Sequence, residues 1–472
     1  MQAFDVVVIG AGSGGLTAAR RLALAGKHTA LIERDLVGGD CLNWGCIPTK
    51  TLVALAASYY QLKQHRSSHP DLADTFPDFL AMKNRITTVQ AEVGTDERRY
   101  YIDDPGVHLL HGTAHFLDTH TIRVNDQEIR FNHCIIATGS RPRIPSIPGL
   151  AATSYHTNET IFQLDRIPSS LAIIGGGPIG CEFAQAFQRL GCHVTIVEQN
   201  DRLLVREDPE ASEVLLQAFR EEGITIYLDT HIQATERQSD QQQLLHLLSH
   251  NWQAVVAINA ILVAAGRQAN IESLNLLAAG VQTNEHGIIV DTRLRTTAPH
   301  IWAVGDVTGG LFFTHVAAEQ GWIAAGRVLG KGGRFHARAI PWCTFTDPEI
   351  ARVGLTEAEA RQRYGNKVRV LHWPFSQVDR ALMLSKSSGF IKIITIPGWT
   401  HGLAGGELIG AQIAGPQAGE LITPLTLLLA HRLPIGMLAR TIHVYPTLSL
   451  GVRQALAQLW DSPPAHSMRS SS

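Results

Sequence analysis

DVVVIGAGSGGLTAARRLALAGKHTALIE, residues 5–33, and LAIIGGGPIGCEFAQAFQRLGCHVTIVE, residues 171–198, follow one plan. Each runs from an apolar strand through a Gly-x-Gly-x-x-Gly turn into an alanine-rich helix, then into a second strand closed by glutamate. Gly10 stands 23 residues before Glu33 and Gly175 stands 23 before Glu198, so the chain carries an internal repeat. The glycines state the chemistry. Gly10 and Gly175 permit the tight turn, Gly12 and Gly177 let the backbone approach a pyrophosphate, and Gly15 and Gly180 let helix pack on strand. The N–H groups at the start of the following helix favour phosphate. Glu33 and Glu198 stand where each accepts from a ribose diol, so two dinucleotides are expected. At the second turn Glu198 repels a 2′-phosphate, which favours NADH; Arg202, four residues on, keeps NADPH as the second candidate.

At 472 residues the chain exceeds what one core usually holds, which implies two or three domains. Its 40 basic and 42 acidic residues leave a net charge of -2 with no long single-sign run, arguing against nucleic acid or an anionic membrane as partner. The start reads directly into a strand and a glycine turn, without the pattern of a signal peptide. The longest apolar stretch, LITPLTLLLAHRLPIGML, is interrupted by Pro424, His431, Arg432 and Pro434, so no membrane span is expected. A cytoplasmic protein follows.

Six cysteines are too few for a disulfide scaffold in so long a chain, and a reducing compartment makes a close pair catalytic rather than structural. Cys41 and Cys46 form such a pair in GGDCLNWGCIPTK, residues 38–50. Pro48 suits the first turn of a helix, which sets Cys46 near a helix N-terminus where a thiolate is favoured. Cys134, Cys181, Cys192 and Cys343 read as small apolar core residues, the middle two flanking a helix. No resident metal site is expected.

From Asp5 to Leu456 the chain resembles the FAD-dependent pyridine nucleotide-disulfide oxidoreductases, the group of dihydrolipoyl dehydrogenase, glutathione reductase and mercuric reductase. Besides the two glycine turns and the cysteine motif, the resemblance rests on IIATGSRPRIPSIPG (135–149), IWAVGDV (301–307), THVAAEQG (314–321) and PWCTFTDPEIARVGLTEAEA (341–360). It implies an α/β chain with two Rossmann-like dinucleotide-binding domains, for FAD and NAD, and a C-terminal α+β dimerisation domain. The FAD domain would comprise 1–150 and 270–335, the NAD(P)H domain 151–269 and the dimerisation domain 336–460, with a mobile tail at 461–472. LHWPFSQVDRALM and GFIKIITI read as strands of that last domain and ELITPLTLLLAHRL as a helix.

The resemblance also assigns roles. Gly39, Ala114, Thr138, Gly139 and Asp306 would join the first turn in holding FAD, and the helix from Thr314 would point its N-terminus at the flavin. Gly266, in VAAGRQAN, echoes the IATGSRP stretch in the second half of the repeat. Lys50 and Glu182 would pair beside the flavin, where a fixed cation favours arriving hydride. Pro178 stands where some relatives carry an aromatic gate. Electrons would pass from nicotinamide through flavin to the Cys41–Cys46 disulfide, with Cys46 as the thiolate facing the flavin and Cys41 as the interchange thiol.

The acceptor half departs from the pattern. Disulfide-reducing relatives end on a His-Pro-Thr-x-x-Glu stretch whose histidine shuttles protons from the partner subunit. Here IHVYPTLSL puts Tyr445 in place of the histidine and Leu450 in place of the glutamate. A phenol is a poor base at neutral pH, and a positioned base is worth about 10² to 10⁴ in rate. His443, two residues earlier, projects to the same side as Tyr445 if the segment is extended, and is the candidate substitute. Tyrosine at this position is shared with mercuric reductases, whose core is the nearest resemblance, but their C-terminal cysteine pair and N-terminal metal-binding domain are not expected here. A homodimeric NAD(P)H oxidoreductase is expected, passing electrons to a metal ion, a quinone or an unusual disulfide. The alternatives are a slow-turnover flavin/disulfide redox sensor, or a dihydrolipoyl dehydrogenase or glutathione reductase-like enzyme with a substitute base.

Overall fold

The computed structural model describes residues 2–65, 78–239, 242–398 and 406–461; residues 462–472, most of the expected tail, lie outside the described residues. The chain divides into two compact units, residues 1–175, 186–195 and 232–336 in one and 176–185, 196–231 and 337–472 in the other. In chain order the helices are α1 (Ser13–Leu24), α2 (Gly39–Asn43), α3 (Cys46–His65), α4 (Phe79–Arg98), α5 (Pro178–Arg189), α6 (Pro209–Glu221), α7 (Thr314–Val328), α8 (Glu357–Tyr364), α9 (Asp379–Met383), α10 (Ala418–His431), α11 (Gly436–Arg440) and α12 (Ser449–Asp461).

The first unit is organised by a seven-stranded sheet. Its order is His108–His111, Thr29–Glu33, Gln2–Ile9, Gln127–Ile136, Thr121–Val124 and Ala114–Phe116, with Ile301–Ala303 also pairing with Gln127–Ile136. The strand Gln2–Ile9 runs parallel to both of its neighbours. Because side chains alternate along a strand, Val6 and Val8 enter one core with α1 and Ile323 to Ala325 of α7, while Val7 and Ile9 enter the other. That is why VVVI is apolar at every position. Helices α1 and α7 meet backbone to backbone: a Cβ on Gly321 would lie 2.1 Å from Gly14 O. In the same unit Ala260–Val263 lies parallel between Ser170–Ile174 and Tyr155–His156, the core of the second nucleotide fold.

The second unit carries a five-stranded antiparallel sheet in the order Pro341–Thr344, Glu349–Gly354, Glu407–Gly415, Phe390–Ile396 and Arg369–Pro374. Leu421, Leu425 and Leu428 of α10 and Val452 and Leu456 of α12 bury against it. A charged cluster ties the segment before α6 to this sheet. Arg352 pairs with Glu207 at 3.1 Å, both almost fully buried, and Lys392 lies 3.1 Å from Glu357 and from Glu210 and 3.8 Å from Asp208.

Two local expectations are corrected. LHWPFSQVDRALM is strand only to Pro374; Phe375 then turns into the core and Asp379 opens α9. As expected, ELITPLTLLLAHRL is helical, as α10, with Pro424 inside it; the buried face of the helix offsets a proline cost of about 3 kcal/mol. Cys181 lies within α5 rather than beside it. Among the described residues no helix is long and apolar enough to cross a membrane.

Candidate active site

The two glycine turns repeat down to single contacts. Gly10 (φ 101°) and Gly175 (φ 111°) have left-handed backbone, and a Cβ there would lie 2.4 Å from Ala137 O and 2.6 Å from Ala264 O respectively. Only glycine is accommodated. A Cβ on Gly15 would strike Gly10 O at 1.8 Å, and Gly180 is buried in α5. The middle glycines differ: Gly177 has nothing within 4 Å of an added Cβ, and Gly12 only the Gly39 Cα at 3.9 Å. No side chain caps α1, so its first N–H groups remain available beside that opening.

The acidic residues repeat too. Ala11 N donates to Glu33 Oε2 (2.7 Å) and Asp35 N to Oε1 (2.9 Å); Gly176 N donates to Glu198 Oε2 (2.6 Å) and Asn200 N to Oε1 (2.8 Å). Each carboxylate is thereby fixed at the glycine turn, with further lone pairs for a diol. Open cradle, helix N-terminus and tethered carboxylate fit a dinucleotide at each turn. Arg202 is engaged elsewhere, by Asp201 Oδ1 at 3.1 Å and by donating to Val205 O at 3.2 Å.

Around the first turn, Gly39 (φ 60°) backs onto Gly12, where a Cβ would fall 2.8 Å from the Gly12 Cα. Ala114 is buried at the start of its strand. Thr138 Oγ1 donates to Asn270 O (2.8 Å), Asn270 Nδ2 returns to Thr138 O (3.0 Å), and Asn270 N donates to Gly139 O (3.0 Å). Gly139 and Gly266 both take positive φ, and the strands that follow them, Ser140–Pro142 and Arg267–Ala269, pair antiparallel. Asp306 accepts from Ser140 Oγ at 2.6 Å and lies 4.0 Å from Arg267, whose other nitrogen is 3.3 Å from Asp40. Burial raises the Asp306 carboxyl; Ser140 and Arg267 oppose it. Sequence reasoning missed Ser140, Arg267 and Asp40 as a set, although the echo between IATGSRP and VAAGRQAN marked both strands.

Cys41 sits on α2 and Cys46 opens α3, joined by a turn in which Trp44 N and Gly45 N both donate to Asp40 O. Both are partly buried. Cys46 Sγ lies 3.5 Å from the hydroxyl of Thr314, the first residue of α7, so two helix N-termini favour its thiolate. Cys41 is affected in the opposite sense: the Cys46 sulfur beside it, then burial, push its thiol far above the ordinary range. Lys50 follows Cys46 by one turn of α3. Burial pushes the thiols of Cys134, Cys181 and Cys192 up, as inert core cysteines; Cys343 is half-buried, with its thiol toward Thr344 O and Glu349.

In the second unit Glu182 is buried on α5 and its Oε1 accepts from Phe345 N at 2.9 Å. Tyr445 is 67 % exposed and donates to Asp379 Oδ2 at 3.0 Å, a bond that raises its phenol further. His443 does not share its side. The segment is irregular rather than extended, and His443 turns inward, with Nδ1 3.2 Å from Ser449 Oγ and a buried Nε2 that makes no hydrogen bond. Leu450 lies in the first turn of α12.

Residues 4–321 match the pyridine nucleotide-disulphide oxidoreductase family, and residues 340–456 match the dimerisation domain of that family. A dihydrolipoyl dehydrogenase of Chlamydia pneumoniae is 37% identical over 95% of both chains. A mercuric reductase of Streptomyces lividans is 36% identical over 98% of this chain and 97% of its own. Among solved structures, the Cu(II) complex of the HOCl-induced flavoprotein disulfide reductase RclA from Escherichia coli superposes with a TM-score of 0.86 at 31% identity, over 97% of this chain and 100% of that one.

Proposed function

The chain belongs to the pyridine nucleotide-disulphide oxidoreductase family, enzymes that use FAD and NAD(P)H, and from that premise we propose that it oxidises NADH and passes the electrons through a Cys41–Cys46 disulfide to an acceptor that needs no partner-subunit histidine. FAD supplies the two-electron relay between nicotinamide and disulfide. Glu33, Gly12, Gly39 and Asp306 would hold it, with Ala114, Thr138 and Gly139 along its length and Thr314 and Lys50 at its reactive end. Gly177, Glu198 and Gly266 would hold the nicotinamide nucleotide and Glu182 would complete that site. The commitment of Arg202 to Asp201 supports NADH over NADPH. The domains proposed are 1–150 with 270–335, 151–269 and 336–460, in a cytoplasmic homodimer. Exposed Ile442, Val444 and Met437 support such an interface, which light scattering checks.

The observation that carries the acceptor assignment is Tyr445. Its phenol is spent on Asp379 and pushed away from neutral pH, so it cannot do the work of an imidazole. A thiophilic metal ion is the first acceptor class, in line with the metal named for the Streptomyces enzyme and for the E. coli complex; a quinone and an unusual disulfide follow. One observation favours a disulfide-reducing alternative: the unpartnered His443 Nε2, a base held in place through Ser449. The test is anaerobic reduction by NADH followed by stopped-flow mixing with Cu(II), Hg(II), a quinone, lipoamide and glutathione disulfide. Fast reoxidation by a metal ion and slow reoxidation by both disulfides is expected. Lipoamide turnover as fast as reduction by NADH, abolished by His443→Ala, would replace the proposal with the alternative.

A further inference from the structure

Between the two cysteines the chain turns on one residue. Asp40 O accepts from Trp44 N (2.9 Å) and Gly45 N (2.6 Å), and the Asp40 side chain folds over the same turn, so that a Cβ on Gly45 would lie 2.8 Å from its Oδ2. Asp40 thus precedes Cys41 and lies against the residue that precedes Cys46. What holds Asp40 comes from two distant segments. Asn158, almost fully buried, spans the turn: its Nδ2 donates to Asp40 Oδ1 (3.1 Å) and to Trp44 O (3.3 Å). Arg267, its side chain largely buried, reaches the same Oδ1 at 3.3 Å through Nη2. The guanidinium is itself fixed from behind, with Nε donating to Ser140 Oγ (2.7 Å) and Nη2 to Ser140 O (3.0 Å), while Ser140 Oγ donates to Asp306 Oδ2 (2.6 Å). A planar fork holds partners in one geometry, where an ammonium group would act as a point charge.

We propose that Arg267 and Asn158 are positioning residues for the Cys41–Cys46 pair: they clamp Asp40, and through it the turn that presents one thiol to the other. The proposal rests on Cys41 and Cys46 being the redox pair. Forming the disulfide joins the two sulfurs, releases two protons and gives two electrons to the oxidant; reduction reverses each change. A disulfide tolerates only a narrow range of Cα and Cβ separations, and its stability follows the effective concentration of one thiol at the other. A fixed turn keeps that concentration high. Charge alone would act differently: if Arg267 only offset the carboxylate beside Cys41, any cation there would serve, and removing the carboxylate would matter most.

The test is the thiol–disulfide equilibrium of the holoenzyme in mixtures of reduced and oxidised dithiothreitol, approached from both sides, with thiols at Cys41 and Cys46 counted by alkylation and mass spectrometry. In Arg267→Lys, which keeps the charge and loses the fork, the disulfide should be less stable than in the parent by about tenfold or more in equilibrium constant. Asp40→Asn, which removes the charge and keeps an acceptor for Arg267 and Asn158, should stay within about threefold. Asp40→Ala should fall at least as far as Arg267→Lys, and combining the two should lower it no further, because the acceptor is already gone. An Arg267→Lys equilibrium within about threefold of the parent, a shift in Asp40→Asn as large as that in Arg267→Lys, or additive effects in the double variant would each overturn the proposal. Where Arg267→Lys does not fold, Asn158→Ala carries the same comparison with the same limit. The parent checks the premise separately: if oxidised dithiothreitol removes no thiols at Cys41 and Cys46, the disulfide assignment itself fails.

Discussion

Gly175 and Gly177 offer a way to separate what the second turn needs in order to fold from what it needs in order to bind. In Gly175→Ala the new Cβ meets Ala264 O at 2.6 Å and Ala264 C at 3.0 Å, both backbone atoms, at a φ of 111°. Left-handed backbone alone costs an ordinary residue about 1–2 kcal/mol, and the clash adds the cost of prising one strand end from its neighbour. This variant should be destabilised by several kcal/mol. In Gly177→Ala the Cβ meets nothing within 4 Å and φ is not positive, so stability should change by no more than about 1 kcal/mol. Yet the methyl would occupy the space left for a pyrophosphate. A hydrogen bond to a charged group is worth about 1.5–3 kcal/mol, so losing one weakens NADH binding about 10- to 150-fold. Thermal unfolding of the holoprotein gives the first quantity and fluorescence titration with NADH the second. Gly177→Ala that binds NADH within threefold of the parent, or that unfolds as early as Gly175→Ala, would show that the empty space is not the nucleotide cradle.

Tyr445→His with Leu450→Glu should raise lipoamide turnover, by about 10² if geometry is retained, and leave flavin reduction by NADH unchanged; steady-state and stopped-flow rates compare the two. Arg352→Met strands the buried Glu207 carboxylate and should destabilise the second unit by about 3–5 kcal/mol, seen in denaturant unfolding, with Arg352→Met/Glu207→Gln recovering much of it. Because burial raises the Glu97 carboxyl, its stability contribution is full at low pH and lost as pH rises through its folded value; Glu97→Gln should therefore melt higher than the parent at pH 8, with the gain vanishing in acid.

The nucleotide turns were legible because their requirements are local. A tight turn demands glycine at Gly10 and Gly175, and a ribose diol demands an acid at a fixed distance along the chain, so spacing alone exposes both. The cysteine motif was legible for the same reason, with Pro48 marking where α3 begins. What could not be read is what depends on contacts between distant segments. Ser140, Arg267 and Asp40 meet Asp306 only after two short strands pair. His443 and Tyr445 read as neighbours on one side, and the irregular chain sends one inward to Ser449 and the other outward to Asp379.

The same division explains why the donor side is readable and the acceptor side is not. The two glycine turns and the cysteine motif are each contiguous in sequence, so each can be read from its own residues. Tyr445 and Leu450 are isolated positions, and what Tyr445 can do depends on a neighbour, Asp379, that spacing along the chain does not reveal.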